Sequence, residues 1–134
     1  MTGFHKDIYF RVPYAPLFVV NDTLYVFDHT RDVIRSYDKQ LKKITEVPIH
    51  YHKNRSWKKE LLQDPVTRSV YSVHRKHDRI ILHRIDPRTG SVGNGNSLTH
   101  PHPEGVKLYD GKAWYIYRVF GSTQRRTLYR EPLN

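Results

Sequence analysis

Apolar and polar positions alternate with a period of two along most of this chain, in runs too short for anything but strands. TLYVFD (23–28), VIRSYD (33–38), RSVYSV (68–73), RIILHRI (79–85), KAWYIYRV (112–119) and RRTLYR (125–130) carry Val, Ile, Leu, Tyr, Phe or Trp in this manner. Side chains of a strand point alternately to its two faces, so each run predicts a pleated, half-buried strand. No segment of ten or more residues has the apolar period of a helix. The purely apolar run Leu17–Val20 predicts a strand buried on both faces. FHKDIYFRV (4–12) predicts a strand that Pro13 ends. KKITEVPI (42–49) predicts one that Pro48 confines to a sheet edge, because proline donates no ladder hydrogen bond. Glu60–Leu62 and Gly105–Leu108 are further short strands, and Ser91–Thr99, with its GNGN, is a weak one.

Between these runs stand turn residues: Asn21-Asp22, Asp64–Thr67, DPRTG (86–90) and Asp110-Gly111. Asp22, Asp64 and Asp110 take the same place in successive units, at intervals of 42 and 46 residues. A period of about 40–50 residues with four short strands per unit is the sequence signature of a propeller blade. The expected fold class is therefore all-β, with blades of four-stranded antiparallel meanders. One domain over 1–134 would comprise an outer strand at 4–12, blades at about 17–49 and about 60–99, and a three-stranded blade at about 105–130. Tyr25, Phe27, Tyr71, Val73, Trp114 and Ile116 are expected as core in second strands, and Tyr37, Ile85 and Leu128 in third strands. Propellers close with about four to eight blades. Three blades are thus expected to be half of a six-bladed ring. A two-fold homodimer would complete it, strand 4–12 of one copy finishing the last blade of the other. The alternative is the C-terminal half of a longer propeller.

Composition narrows the function classes. The formal charge is +10, which suits an anionic ligand, a nucleic acid or simply a solvated basic surface. The absence of cysteine excludes disulfides and thiolate metal sites. No apolar run approaches the roughly 18 residues of a membrane span, and MTGFHKDIYFRV lacks the apolar core of a signal peptide. In a meander blade, the turns between second and third strands share a face with the connectors to the next blade. That face would collect the candidate anion-binding residues His29, Arg31, His52, Arg55, Trp57, Lys58, His74, Arg75, Lys76, His77, His102, Arg125 and Arg126. The opposite face would collect Asp22, Asp38, Asp64, Asp86 and Asp110, which serve turns, with some Lys and Arg mixed in. Two His-x-His pairs, His50/His52 and His100/His102, are weak metal candidates, since i and i+2 share a side of an extended segment. No G-x-S-x-G elbow, P-loop or H-E-x-x-H motif occurs. Glu60 and Glu104 read as ordinary ion-pair partners, and no cofactor is expected. The expectation is a non-catalytic binding or scaffold module. Nucleic-acid binding is the alternative, because Tyr and Trp share a face with Arg.

The segments PYAPLFVVNDTLYVFD, YHKNRSWKKELLQDPVTRSVYSV, IDPRTG, HPHPEGVKLYDGKAWYIYR and TLYRE resemble the C-terminal half of six-bladed, NHL-like bacterial β-propeller proteins. The resemblance covers nearly the whole chain and concerns blade motifs. It implies the architecture above and relatives that are often exported or lipid-anchored. It leaves open a further alternative, a fragment of an exported propeller with hydrolase, lyase or sugar-binding activity.

Overall fold

A computed structural model describes residues 14–118 and 125–134. The expected strand at 4–12 and the turn Gly121–Gln124 lie outside them. The described chain is all-β, with three antiparallel meanders in sequence order. The first sheet runs β1 (Leu17–Val20), β2 (Thr23–Asp28), β3 (Val33–Tyr37) and β4 (Lys43–Pro48). A single 3-10 turn, Tyr51–Lys53, stands in the connector that follows. The second sheet runs β5 (Trp57–Gln63), β6 (Val70–Lys76), β7 (Arg79–Ile85) and β8 (Val92–Ser97). The third has β9 (Glu104–Tyr109) and β11 (Arg126–Pro132) on either side of β10 (Lys112–Arg118). Pro48 lies in β4, an edge strand that among the described residues pairs only with β3, as its missing donor requires.

Directly paired residues share a sheet face, so the registers sort the side chains. Phe18↔Tyr25 and Phe27↔Ile34 turn one face of the first sheet toward the second. There Tyr25, Phe27, Ile34, Ile49 and Tyr51 pack with Leu61, Val70 and Ile85. The other face of the second sheet carries Tyr71, Val73, Ile80 and Leu82, which pack with Leu98, Leu108, Ala113 and Tyr115. The second sheet is therefore sandwiched, and two apolar layers hold the three sheets together. Full burial of residues such as Phe27, Ile34 and Leu82 contributes about 1.5–3 kcal/mol each.

The outer faces of the first and third sheets differ from expectation. Leu17 is 59% and Val19 54% exposed, so β1 is covered on one face only. Ile116 is 36% and Leu128 65% exposed, and both lie with Trp114 on the face of the third sheet that turns away from the second. These residues read as core because an apolar strand position looks the same whether or not a sheet stands opposite. Among the described residues, none does.

The three aspartates that marked the repeat do different work. Asp22 and Asp110 sit in two-residue turns with φ of +66° and +53°. Asp64 is 1% exposed, and its side chain accepts the backbone N–H of Val66 and Thr67 in its own turn and of Asp110 and Gly111 in the third sheet. One carboxylate thus latches the β5–β6 turn to the β9–β10 turn.

Candidate functional site

The connector between the first two sheets brings the aromatic and imidazole groups together. Ile49 N–H donates to the Asp32 carbonyl at 3.0 Å, so the connector begins against the β2–β3 turn. Side chains repeat the tie. Asp32 accepts His52 Nε2 at 2.6 Å and pairs with Lys53 at 3.0 Å. The His52 contact, followed by Lys53, holds the Asp32 carboxyl below its usual range. The next connector does the same, where His102 N–H donates to the Asp78 carbonyl and the His102 ring faces the Asp78 carboxylate at 3.6 Å.

A nest of rings fills the first junction. His29 stacks on Tyr14 with centroids 5.2 Å apart and lies 4.7 Å from Trp57. Its Nδ1 donates to the Tyr14 carbonyl at 2.8 Å, which makes Nε2 the acceptor for the Tyr51 hydroxyl at 2.5 Å. Burial lowers the His29 pKa, outweighing the Tyr14 carbonyl. Burial likewise raises that of Tyr51. Both therefore stay neutral near pH 7, as the shared hydrogen bond demands. The His52 side chain is only 7% exposed. Its Nδ1 has no partner among the described residues.

Beside this nest lies a groove of about 450 Å³ between the two sheets, lined by Tyr51, Asn54, Ser56, His74, His83 and Val92 among others. Ser56 is fixed by its backbone: its N–H donates to Asn54 Oδ1 at 2.9 Å, and its carbonyl accepts Arg75 N–H at 2.8 Å. Ser56 Oγ meets His74 Nδ1 at 2.9 Å, and His74 Nε2 meets Ser72 Oγ at 2.9 Å. Ser72 donates its hydrogen to the His83 carbonyl at 3.4 Å. It must then accept from His74 Nε2–H, and the bare Nδ1 must accept from Ser56. Burial, with His83 nearby, lowers the pKa of His74 to about 4, so it is neutral and has this one tautomer. A serine donating to an imidazole is the ground state of nucleophilic catalysis. Here a buried hydroxyl, not a carboxylate, stands behind the ring. Nothing in the relay stabilises the imidazolium that proton transfer would create. The relay leaves the Ser56 oxygen lone pairs free of the hydrogen bond to His74.

The structure gathers His29, His52, Trp57 and His74 of the expected site residues. Trp57 is not a loop residue. It pairs with His74 at the start of β5, across a bulge where Lys59 has φ of +57°. Arg31, Arg55, Lys58, Arg75, Lys76 and His77 are exposed around this junction or on the β6–β7 hairpin. His102 belongs to the second connector, Arg125 directly precedes β11, and Arg126 begins it, sharing Glu104 with Arg118 at 3.8 and 3.5 Å. Glu104 is thus an ion-pair partner, of Arg118 and Arg126. The His-x-His pairs are divided among separate neighbours. His52 holds Asp32, while His100 stacks on Tyr117 at 3.7 Å and contacts the Tyr115 hydroxyl. Among the described residues no cluster of three or more potential ligands forms.

Sequence reasoning missed Tyr14, Tyr51, Asn54, Ser56 and His83. Small polar residues and tyrosines carry no pattern of their own; the connector brings Tyr51, Asn54 and Ser56 to His29 and His74, while Tyr14 arrives from before β1 and His83 from β7. Charge is mixed at both ends of the sheets. A larger cavity, about 690 Å³, lies at the opposite end among Asn21, Thr67, Arg68, Asp86 and Arg88, while Asp32 and Asp78 temper the basic end. No family model matches the chain, and no curated protein sequence matches it.

Proposed function

We propose that the chain is a non-catalytic binding and scaffold module, three blades of a propeller that a second copy completes to six, with the His/Arg-rich connector face for an anionic ligand or protein partner. One observation carries this reading. The second sheet is covered on both sides, whereas Leu17 and Val19 on one terminal sheet and Tyr109, Ile116 and Leu128 on the other remain exposed. Apolar surface at both ends of a stack is what a ring opened at one place presents. The connector face supplies Arg55, Lys58, Arg75 and Lys76 around the ring nest, and clustered cations raise the local concentration of anions. Light scattering across a concentration series tests the assembly: a dimer is expected, dissociated by Leu17→Glu with Val19→Glu. A wild-type monomer overturns completion by a second copy and turns attention to further blades in a longer chain.

Nucleic-acid binding is favoured by a separate observation. On the outer face of the third sheet Lys107, Lys112, Arg118, Arg126 and Arg130 surround Tyr109 and Trp114, with the Arg130 guanidinium 5.3 Å from the Trp114 ring centroid. Cations interleaved with aromatic rings suit a single strand, which they neutralise and stack. The same face would be buried in a dimer, so the two readings exclude each other there. Single-strand affinity falling steeply with salt supports this reading, and no binding at low salt removes it.

A further inference from the structure

We propose that the groove between the first two sheets is a binding site for a neutral, hydroxyl-rich small molecule of the saccharide class, received by Ser56 and His83. This goes beyond the anionic ligand proposed above and rests on Ser56 and His83, which are outside that set, with His74 shared between the two.

The groove departs from the surface around it. In a chain of net charge +10, none of its lining residues is Lys, Arg, Asp or Glu. What it offers is hydrogen-bond acceptors with fixed direction. The relay His83 carbonyl, Ser72, His74, Ser56 commits the Ser56 hydrogen inward to His74 Nδ1, leaving the Ser56 lone pairs for an incoming donor. His83 Nδ1 meets the Gly93 carbonyl at 2.9 Å, and with the ring hydrogen on Nδ1 its Nε2 is an acceptor as well. Asn54 holds the Ser56 N–H with its Oδ1, and its amide NH₂ can donate. Tyr51 and Val92 add carbon surface. A ligand that is uncharged, brings several donors and also accepts hydrogen bonds matches this lining. Vicinal hydroxyls on a carbon ring meet that description. An anion does not, since it would face lone pairs. A volume of about 450 Å³ lies in the range of small-molecule sites.

Relay and groove are held by backbone, so they precede the ligand. Arg75 N–H fixes the Ser56 carbonyl. Gly90, with φ of +79°, lies so close to the Pro48 carbonyl that an added Cβ would stand 2.2 Å from its oxygen. This contact sets the approach of the β7–β8 turn to the end of β4, one border of the groove.

The experiment is saturation-transfer NMR and titration calorimetry on the full chain with D-glucose, D-galactose, D-mannose and N-acetyl-D-glucosamine. Binding of at least one is expected, unchanged between low and about 0.5 M salt because no ion pair contributes. Ser56→Ala should weaken it about five- to tenfold, the value of one hydrogen bond. Val92→Trp, which fills the groove without touching the relay, should abolish it while circular dichroism stays unchanged. Absence of binding by all four sugars overturns the proposal. So does binding that survives Val92→Trp or falls with salt as anion binding would. Arg75→Glu with Lys76→Glu should leave sugar binding intact, which separates failure of this site from failure of the basic face.

Discussion

At the scale of the residue, Asp64 shows how one letter can hide several functions. Three aspartates recur at nearly constant spacing, and that spacing was legible. Their physical difference was not, because it depends on which amides stand opposite. Asp22 and Asp110 are tolerated at positive φ, whereas Asp64 is an acceptor for backbone donors from two sheets. Burial works to raise its pKa, but the backbone N–H of Gly111, Val66, Thr67 and Asp110 outweigh it and hold the carboxyl below its usual value. A group depressed in the folded state stabilises the fold above its unfolded pKa, about 3.9. It loses that contribution as pH falls from there through the folded value. Asp64→Ala should cost about 2–3 kcal/mol in urea unfolding at pH 7, since it leaves buried amides unpaired. The deficit relative to wild type should shrink as the pH is lowered below about 4. A constant deficit down to pH 2 would deny the carboxylate this role.

At the scale of the element, alternation made most strands readable, including the edge strand β4 with its proline. It failed where the environment, not the chain, decides. Leu17–Val20 has the composition of a strand covered on both sides, yet one side is open. Trp57 sits in a polar stretch that looks like a connector, yet pairs with His74. The glycines tell a similar story. Gly90 and Gly111 both have positive φ, but an added Cβ at Gly90 would collide with the Pro48 carbonyl and at Gly111 would meet nothing within 4 Å. Gly111→Ala should therefore cost only conformational strain, about 1 kcal/mol. Gly90→Ala must also displace backbone and should exceed that by about 2 kcal/mol or more. Equal melting temperatures for the two variants would contradict the close approach of the β7–β8 turn to β4. Ser56, His83 and Asn54 belong to this scale too. Each is unremarkable in sequence and becomes a lining residue only when β5, β7 and the connector converge.

At the scale of the whole molecule, charge was legible as an amount but not as a map. The basic connector face contains Asp32 and Asp78, and the turn end has arginines of its own at Arg68 and Arg88 around the larger cavity. Binding of a polyanion such as heparin should weaken about tenfold or more when Arg75 and Lys76 are both reversed to glutamate, and by much less in Arg88→Glu. Equal losses would place the anion at the other end. The two tryptophans of the chain offer a way to follow these events apart. Trp57 lies in the junction against His29, while Trp114 lies on the outer face of the third sheet beneath Arg130. Single Trp→Phe variants would give each site its own fluorescence. Covering of the third sheet would shift the emission of one indole to the blue. Occupation of the connector would register in the other, where protonation of the neighbouring imidazole would also quench it in acid. The same molecule can thus report assembly and ligand binding as two independent optical signals.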